Sequence, residues 1–142
     1  MRLVVDTNIL VAELLRKRGV DLINLPNFEL FLAEKMKNEA EYELQKRVSI
    51  RINKGNLTPE QGQFQLELAL GLINNRITTV PLSDYQLFET EARKRIPRDP
   101  NDWETVALAL ALPAAIWTED YDFFDCGCPT WTTQTLLLQI NQ

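Results

Sequence analysis

Residues 98 to 112, with the sequence RDPNDWETVALALAL, form the segment on which the predicted fold depends. Asp99 is a good N-cap, Pro100 suits the first position of a helix, and Asp102 falls in the first turn. After Asp102 the segment becomes apolar on several faces, which is typical of a buried helix. We therefore expect a buried helix whose acidic start points toward groups from other parts of the chain.

The composition is that of a globular protein, and we predict a single domain over residues 1–142. No apolar run approaches the roughly 20 residues of a membrane span, and Met1 leads into a strand and not into a signal peptide. A cytoplasmic location is therefore the default expectation, with no membrane partner. The net charge of −5 argues against a general nucleic-acid coating protein, although it allows a small basic rim beside an acidic site.

The chain contains no histidine, which limits the chemistry open to it. Ser-His-Asp and Cys-His nucleophiles are excluded, and so are metal sites with histidine ligands. Cys126 and Cys128 are separated by one residue, so a disulfide between them would be strained, and two thiols alone do not complete a zinc site. A reactive site would therefore have to be built from aspartate and glutamate.

Short apolar runs alternate with helical patterns along the chain. The predicted strands are residues 3–5, 29–33, 77–80 and 115–118, with an edge strand near 129–131. The predicted helices, besides the central one, are residues 9–18, 34–50, 59–75, 83–95 and 133–140. Gly19 is expected to break the first helix, Thr58 to open a capping box and Ser83 to cap the helix that follows it. This alternation predicts an α/β fold around a mostly parallel sheet.

Four acidic residues fall at the same edge of the predicted sheet. Asp6 and Asp120 directly follow strands, whereas Asp102 and Glu39 lie near the starts of helices. The carboxyl ends of parallel strands share one edge, and the crossover helices begin there, so the four side chains should lie close together. Any one of them alone would be an ordinary cap. Together, without histidine or cysteine, they predict a site for Mg²⁺ or Mn²⁺ and phosphoryl chemistry.

Three segments together resemble the PIN-domain nucleases. They are VVDTNIL at residues 4–10, Asp102 leading into LALA at residues 108–111, and IWTEDYDF at residues 116–123. The resemblance covers the whole chain and implies a PIN-like three-layer fold, with helices on both faces of the sheet, and a divalent-metal-dependent ribonuclease. It also implies either the toxin of a VapBC-type pair, with an antitoxin protein as partner, or a solitary PIN-domain protein.

The resemblance assigns the metal ligands residue by residue. Asp6 matches the first acid of the family, Asp102 the third and Asp120 the fourth. The second acid, a glutamate on the helix after the second strand, is Glu39, with the neighbouring residues 41 and 43, both glutamates, as alternatives. We favour Glu39 because it lies closest to the start of its helix. Whether these ligands hold one metal ion or two stays open.

Several polar residues beside these acids are expected to support them. Thr7, Asn8 and Thr118 are predicted to hydrogen-bond the carboxylates or metal-bound water. Asp99 is either an N-cap or an outer-sphere ligand. Asp122 either caps the turn before Phe123 or belongs to the same outer set.

Basic residues cluster at 16–18, 46–54 and 93–98, and these clusters are the expected contacts for RNA phosphates. Arg98, which immediately precedes the acidic helix, is the first choice. Apolar Phe64, Leu68 and Leu72, together with the resemblance, predict a homodimer. The alternative function is a catalytically silent PIN-like module that binds RNA or protein, against which the intact set of acids argues.

Overall fold

The computed structural model describes residues 1–141 and contains one five-stranded sheet in which every neighbouring pair is parallel. The strands are β1 (Arg2–Val5), β2 (Glu29–Ala33), β3 (Ile77–Val80), β4 (Ala115–Trp117) and β5 (Thr130–Trp131). The helices are α1 (Thr7–Leu14), α2 (Lys17–Ile23), α3 (Glu34–Asn53), α4 (Pro59–Arg76), α5 (Glu89–Arg95), α6 (Trp103–Ala111) and α7 (Thr133–Ile140). The predicted α/β class, with a parallel central sheet, is confirmed.

The order of the strands creates a crevice beside β1. The sheet order is β3-β2-β1-β4-β5, so the chain moves outward from β1 to β3 and then crosses back to β4. The register places Leu3 of β1 opposite Leu30 on one side and Ala115 on the other. Because the direction of winding reverses between β1 and β4, the loops that follow these strands separate there. A ligand site is therefore expected at the carboxyl ends of β1 and β4.

The helices fall into two groups that pack on opposite faces of the sheet. Helix α1 contacts α3, and α3 contacts α4, whereas α6 contacts α5 and lies against β1, β2 and β4. Right-handed crossovers in opposite directions along a parallel sheet place their helices on opposite faces. None of the helices within residues 1–141 combines the length and the apolar composition needed to cross a bilayer.

Helix α6 is the buried helix that the sequence predicted. Every residue from 103 to 109 is buried, and only its last turn is partly exposed. Its start differs from the prediction, because residues 100–102 form a 3₁₀ turn and Asp102 occupies the N-cap position of α6. Asp99 lies at the corresponding position of the 3₁₀ turn but makes no capping hydrogen bond. Its carboxylate is therefore free to face Asp102.

Two boundaries were predicted wrongly. The predicted helix 9–18 is divided near Arg16, not at Gly19, which lies inside α2. The predicted helix 83–95 is α-helical only from Glu89, after two 3₁₀ turns, so Ser83 does not cap it. These turns bring Tyr85 into the core, where its hydroxyl donates to Glu104 Oε2 at 2.7 Å.

The predicted capping box of α4 is confirmed. The backbone N–H of Gln61 donates to Thr58 Oγ1 at 3.1 Å, and the N–H of Thr58 donates to Gln61 Oε1 at 2.9 Å. The buried stripe of α3 consists of Met36, Ala40, Leu44 and Val48.

Gly19 allows α2 to approach the end of α1, and replacing it should destabilise the fold. A Cβ at residue 19 would overlap the backbone oxygen of Glu13. We expect Gly19→Ala to lower the free energy of unfolding by about 1–3 kcal/mol, as overpacking does. Gly71→Ala on α4 is the matched control because nothing lies within 4 Å of its added Cβ, and it should leave stability equal or higher by up to about 1 kcal/mol. Urea unfolding of both variants measures the difference. Equal stability of the two would contradict the packing argument.

Candidate active site

Asp6 is a buried carboxyl group at the carboxyl end of β1. Its residue is only 8% exposed, and its backbone N–H donates to the carbonyl oxygen of Trp117 on β4 at 3.0 Å. The hydroxyl of Thr118 donates to Asp6 Oδ2 at 2.9 Å. Burial raises the pKa of Asp6 to about 6, although hydrogen bonds from Thr118 and from the N–H of Asn8 act in the opposite direction. Asp6 thus carries a carboxyl group that is costly to ionise in the absence of a cation.

Thr118 connects Asp6 to Asp120 across the gap between β1 and β4. Its Oγ1 accepts a hydrogen bond from the backbone N–H of Asp120 at 2.9 Å while its hydroxyl proton is directed to Asp6. Asp120 Oδ1 in turn accepts the backbone N–H of Asp122 at 2.9 Å. Asp120, and not Asp122, is therefore the cap of the turn that follows. Thr118 lies where a residue supporting the acids was predicted.

Asp102 reaches the same region from the start of α6. Its pKa is raised to about 7, first by burial and then by the negative charges of Asp99 and Asp6, with a smaller effect of Asp120. The charge of Asp99 is the second-largest cause of this shift, so Asp99 lies close enough to Asp102 to act on it electrostatically. The structure thus brings Asp6, Asp102 and Asp120 within electrostatic reach of one another.

Two open clefts meet at Asp6. The larger has a volume of about 630 Å³, lies between α1 and the start of α7, and contains Asp120 and Glu119. The smaller, of about 390 Å³, contains Asp102 and residues of α3. Asn8 lines both clefts together with Asp6. We call them the α1–α7 cleft and the α3–α6 cleft.

The α3–α6 cleft distinguishes between the alternative glutamates on α3. Glu39 and Glu43 line it, one turn apart, whereas Glu41 does not. Tyr42, which is exposed, lies between them on the same wall. Glu39 therefore shares a cleft with Asp6 and Asp102, and Glu43 is the remaining alternative.

The donor set suits a hard cation bound partly through water. Among residues 1–141, no salt bridge joins a lysine or arginine to Asp6, Asp99, Asp102 or Asp120. Within the same part of the chain, no three of the acidic or cysteine side chains lie close enough to hold one ion directly. Mg²⁺ usually keeps several waters and is bound through one or two carboxylates, so these residues fit such an ion without a closed cage.

Of the remaining predicted residues, Thr7 lies beside Asp6, whereas Arg98 lies outside both clefts. Thr7 is buried, and its Oγ1 has no hydrogen-bond partner among the described residues, so it can donate or accept next to Asp6. Arg98 does not line either cleft. Its Nη1 lies 3.6 Å from Asp122 Oδ1, and it borders a separate pocket with Lys94 and Arg95. The first choice for a phosphate contact therefore lies outside the clefts in this structure.

Sequence reasoning placed residues 16–18 among the expected phosphate contacts but missed Glu13 on α1, which pairs with two of them. Arg16 and Arg18 border the α1–α7 cleft together with Glu13, which is completely buried. A glutamate within the apolar run of α1 was the available signal. Glu104 was also missed, although it too is a glutamate within an apolar run. It is buried in α6, and its Oε1 lies 3.7 Å from Lys35 Nζ.

Asp6 is a buried carboxyl group between β1 and β4, where the direction of winding reverses, and further acids surround it. The protein is therefore an α/β protein with an acidic site at the strand ends. The sequence model of the PIN domain family matches residues 4–141, and the chain therefore belongs to that family. The resemblance inferred from the residues is confirmed.

Solved structures of similar fold include VapBC2 from Rickettsia felis bound to a DNA fragment from their promoter, with a TM-score of 0.59 and 18% identity over 93% of this chain and 98% of that chain. FitAcB from Neisseria gonorrhoeae has the same TM-score and identity, over 94% of this chain and 99% of that chain. At this identity the two likenesses establish the fold alone. No curated protein matches the sequence significantly.

The raised pKa values predict how stability changes with pH when metal is chelated. Folded Asp6 and Asp102 bind protons more tightly than in the unfolded chain, where their pKa lies near 3.8, so the free energy of unfolding should fall as pH rises from about 4 to 7. For Asp6 the difference corresponds to about 3 kcal/mol at most. In EDTA, Asp6→Asn should therefore gain stability relative to the wild type between pH 4.5 and 7.5. Urea unfolding at both pH values measures this gain.

Asp84→Asn, which removes an exposed carboxyl on the turn after β3, is the matched control for the loss of one charge. A constant difference between the wild type and Asp6→Asn across this pH range would show that burial does not raise the pKa of Asp6.

Proposed function

We propose that the chain is a divalent-metal-dependent ribonuclease that hydrolyses RNA phosphodiester bonds where β1 and β4 end. The observation that carries the proposal is uncompensated negative charge: the pKa values of Asp6 and Asp102 are raised, and no cationic side chain of residues 1–141 pairs with either. Carboxylates in such surroundings favour a bound cation. Membership of the PIN domain family supports a nuclease.

In this proposal Asp6, Asp102, Asp120 and Glu39 hold Mg²⁺ or Mn²⁺, directly or through water. When bound, such an ion lowers the pKa of water and offsets charge on phosphate oxygens. Thr118 keeps Asp6 and Asp120 in fixed relative positions through its two hydrogen bonds. In the same proposal Asn8, which lines both clefts, hydrogen-bonds water or substrate.

The proposed nucleophile is water. Its oxygen loses a proton and forms a bond to phosphorus while the bond from phosphorus to the 3′ oxygen breaks and that oxygen takes up a proton, which leaves a 5′-phosphate and a 3′-hydroxyl. Attack by the ribose 2′-hydroxyl would instead give a 2′,3′-cyclic phosphate. The chain has no histidine, the residue most often used for general acid–base catalysis, and this favours the hydrolytic route.

Asp102→Asn should abolish cleavage and leave the fold intact, because the amide keeps the shape of the side chain at the start of α6. Asp125→Asn, which removes an exposed carboxyl outside both clefts, should retain activity. The measurement is end-group analysis of RNA incubated with Mn²⁺. Cleavage that persists in excess EDTA, or cyclic phosphate ends, would contradict the mechanism. Binding of RNA without any cleavage would favour the catalytically silent module.

The choice of Glu39 as the second acid can be tested on α3 itself. Glu39→Gln should lower the rate of cleavage by at least about tenfold if this carboxylate helps to hold the ion, as loss of a residue that orients a metal site does. Glu41→Gln removes the same charge from the same helix outside the cleft and should have little effect. Cleavage rates at limiting and saturating Mn²⁺ distinguish a loss of metal affinity from a loss of fold. A larger effect at Glu43 than at Glu39 would reassign the ligand.

We also propose an antitoxin protein as a partner. The VapBC class that the resemblance implies is a toxin–antitoxin pair, and VapBC2 from Rickettsia felis has a similar fold.

A homodimer remains a prediction, supported by the exposure of Phe64 (64%) and Leu68 (56%) on α4. A cytoplasmic location, where RNA is available, belongs to the same proposal.

A further inference from the structure

A buried glutamate holds two arginines at the edge of the α1–α7 cleft. Glu13 Oε1 lies 3.1 Å from Arg18 Nη2 and 3.4 Å from Arg16 Nη1, and Arg18 Nε donates to Glu13 Oε2 at 3.4 Å. The Glu13 side chain is fully buried, whereas the side chains of Arg16 and Arg18 are 55% and 52% exposed. The carboxylate thus fixes both guanidinium groups from the protein side and leaves their outer edges open.

The backbone around this triad is tightly packed. Gly19 lies against Glu13, so α2 begins in direct contact with the end of α1. The N–H of Arg16 donates to the carbonyl oxygen of Glu13 at 3.1 Å. Arg18 contacts Glu13 through two nitrogens, the fork geometry in which a guanidinium is held most firmly. The arginines therefore have less freedom than ordinary surface side chains.

One carboxylate cannot neutralise two guanidinium groups, so the triad carries one net positive charge. Both arginines line the same cleft as Asp6 and Asp120, whereas Lys17 between them points elsewhere and pairs with Asp21 at 3.0 Å. Glu119 also lines the cleft: its Oε1 accepts the N–H of Thr133 at 2.9 Å, and its negative charge acts on Arg18, so the positive excess belongs to the triad itself and not to the whole cleft. A positive group fixed beside an acidic site is suited to an anion that must approach that site.

We propose that the α1–α7 cleft binds the RNA backbone next to the scissile phosphate, with Arg16 and Arg18 as phosphate contacts and Glu13 as the residue that positions them. The inference rests on the proposed function and names the subsite that delivers its substrate. Planar guanidinium groups bind phosphate oxygens through paired hydrogen bonds, which suits this role better than lysine. Arg98, paired with Asp122 outside the clefts, is replaced by these two residues.

The test measures binding and not turnover. The Asp102→Asn protein, which is expected to leave RNA intact, is titrated with a labelled single-stranded RNA in Mg²⁺ at several salt concentrations. Arg16→Gln and Arg18→Gln should each weaken binding about fivefold and lower the slope of log affinity against log salt by about 0.7 for each lost phosphate contact. Lys17→Gln removes the same charge from the same turn and should change the slope much less.

Glu13→Gln separates positioning from net charge. If only charge matters, loss of this anion makes the cleft more positive and tightens RNA binding. If Glu13 positions the arginines, binding weakens although the cleft becomes more positive. Arg18→Lys, which keeps the charge and loses the fork, provides the same test should Glu13→Gln unfold, and it should weaken binding with little change in slope.

The outcomes distinguish this inference from the function on which it rests. Absence of RNA binding by the parent protein at every salt concentration would overturn the proposed function. RNA binding in which the Arg16, Arg18 and Lys17 variants lose equal affinity would overturn only the phosphate subsite. Tighter binding by a folded Glu13→Gln variant would remove the positioning role and leave the arginines as simple charges.

Discussion

The rest of the site depends on a carboxyl group buried where β1 ends. Burial of Asp6 disfavours its ionised form, and the hydroxyl of Thr118 offsets only part of that cost. The same hydroxyl oxygen accepts the N–H of Asp120, so one side chain joins the ends of two strands. Since Asp102 is held nearby with a raised pKa of its own, acids gather at a place where no lysine or arginine of residues 1–141 forms a salt bridge with either of them. The expected affinity of the site for a cation and the expected pH dependence of the stability of the fold therefore have the same cause, which is the burial of these carboxyl groups.

The sheet order explains why these acids meet. The chain leaves β1 in one direction and returns to β4 from the other, so the loops after the two strands diverge and open a crevice. Helix α6 packs against β1, β2 and β4 and is buried along nearly its whole length. This packing holds the start of the helix at the edge of the sheet. Its apolar surface is thus the means by which Asp102 is positioned. A buried helix whose acidic start faces a parallel sheet serves both packing and the site.

Among similar residues that are close in sequence, the position that the fold gives each side chain decides which of them reaches a cleft. Lys17 lies between Arg16 and Arg18 in sequence, yet only the two arginines face Glu13 and the cleft. Arg98 precedes the acidic segment directly, yet its Nη1 lies 3.6 Å from Asp122 Oδ1, outside both clefts. Glu39 and Glu41 are two residues apart, and the helical period places only the first in the cleft. In each case neighbours in sequence diverge because the helix or turn between them rotates the side chains apart.

The sequence by itself determined the parallel α/β class, the buried helix, the capping box at Thr58 and the acids at the ends of strands and the starts of helices. These features follow from local patterns: apolar runs without alternation, helical periodicity and capping residues, which act over a few residues. The break near Arg16, the 3₁₀ turns before α5, the burial of Glu13 and the position of Glu39, and not Glu41, in the α3–α6 cleft were decided only by the tertiary structure. Each depends on contacts between residues of different elements, such as Gly19 against Glu13 or Tyr85 with Glu104. A local pattern contains no information about those contacts, because the partner that a side chain meets is set by how the helices pack on the sheet.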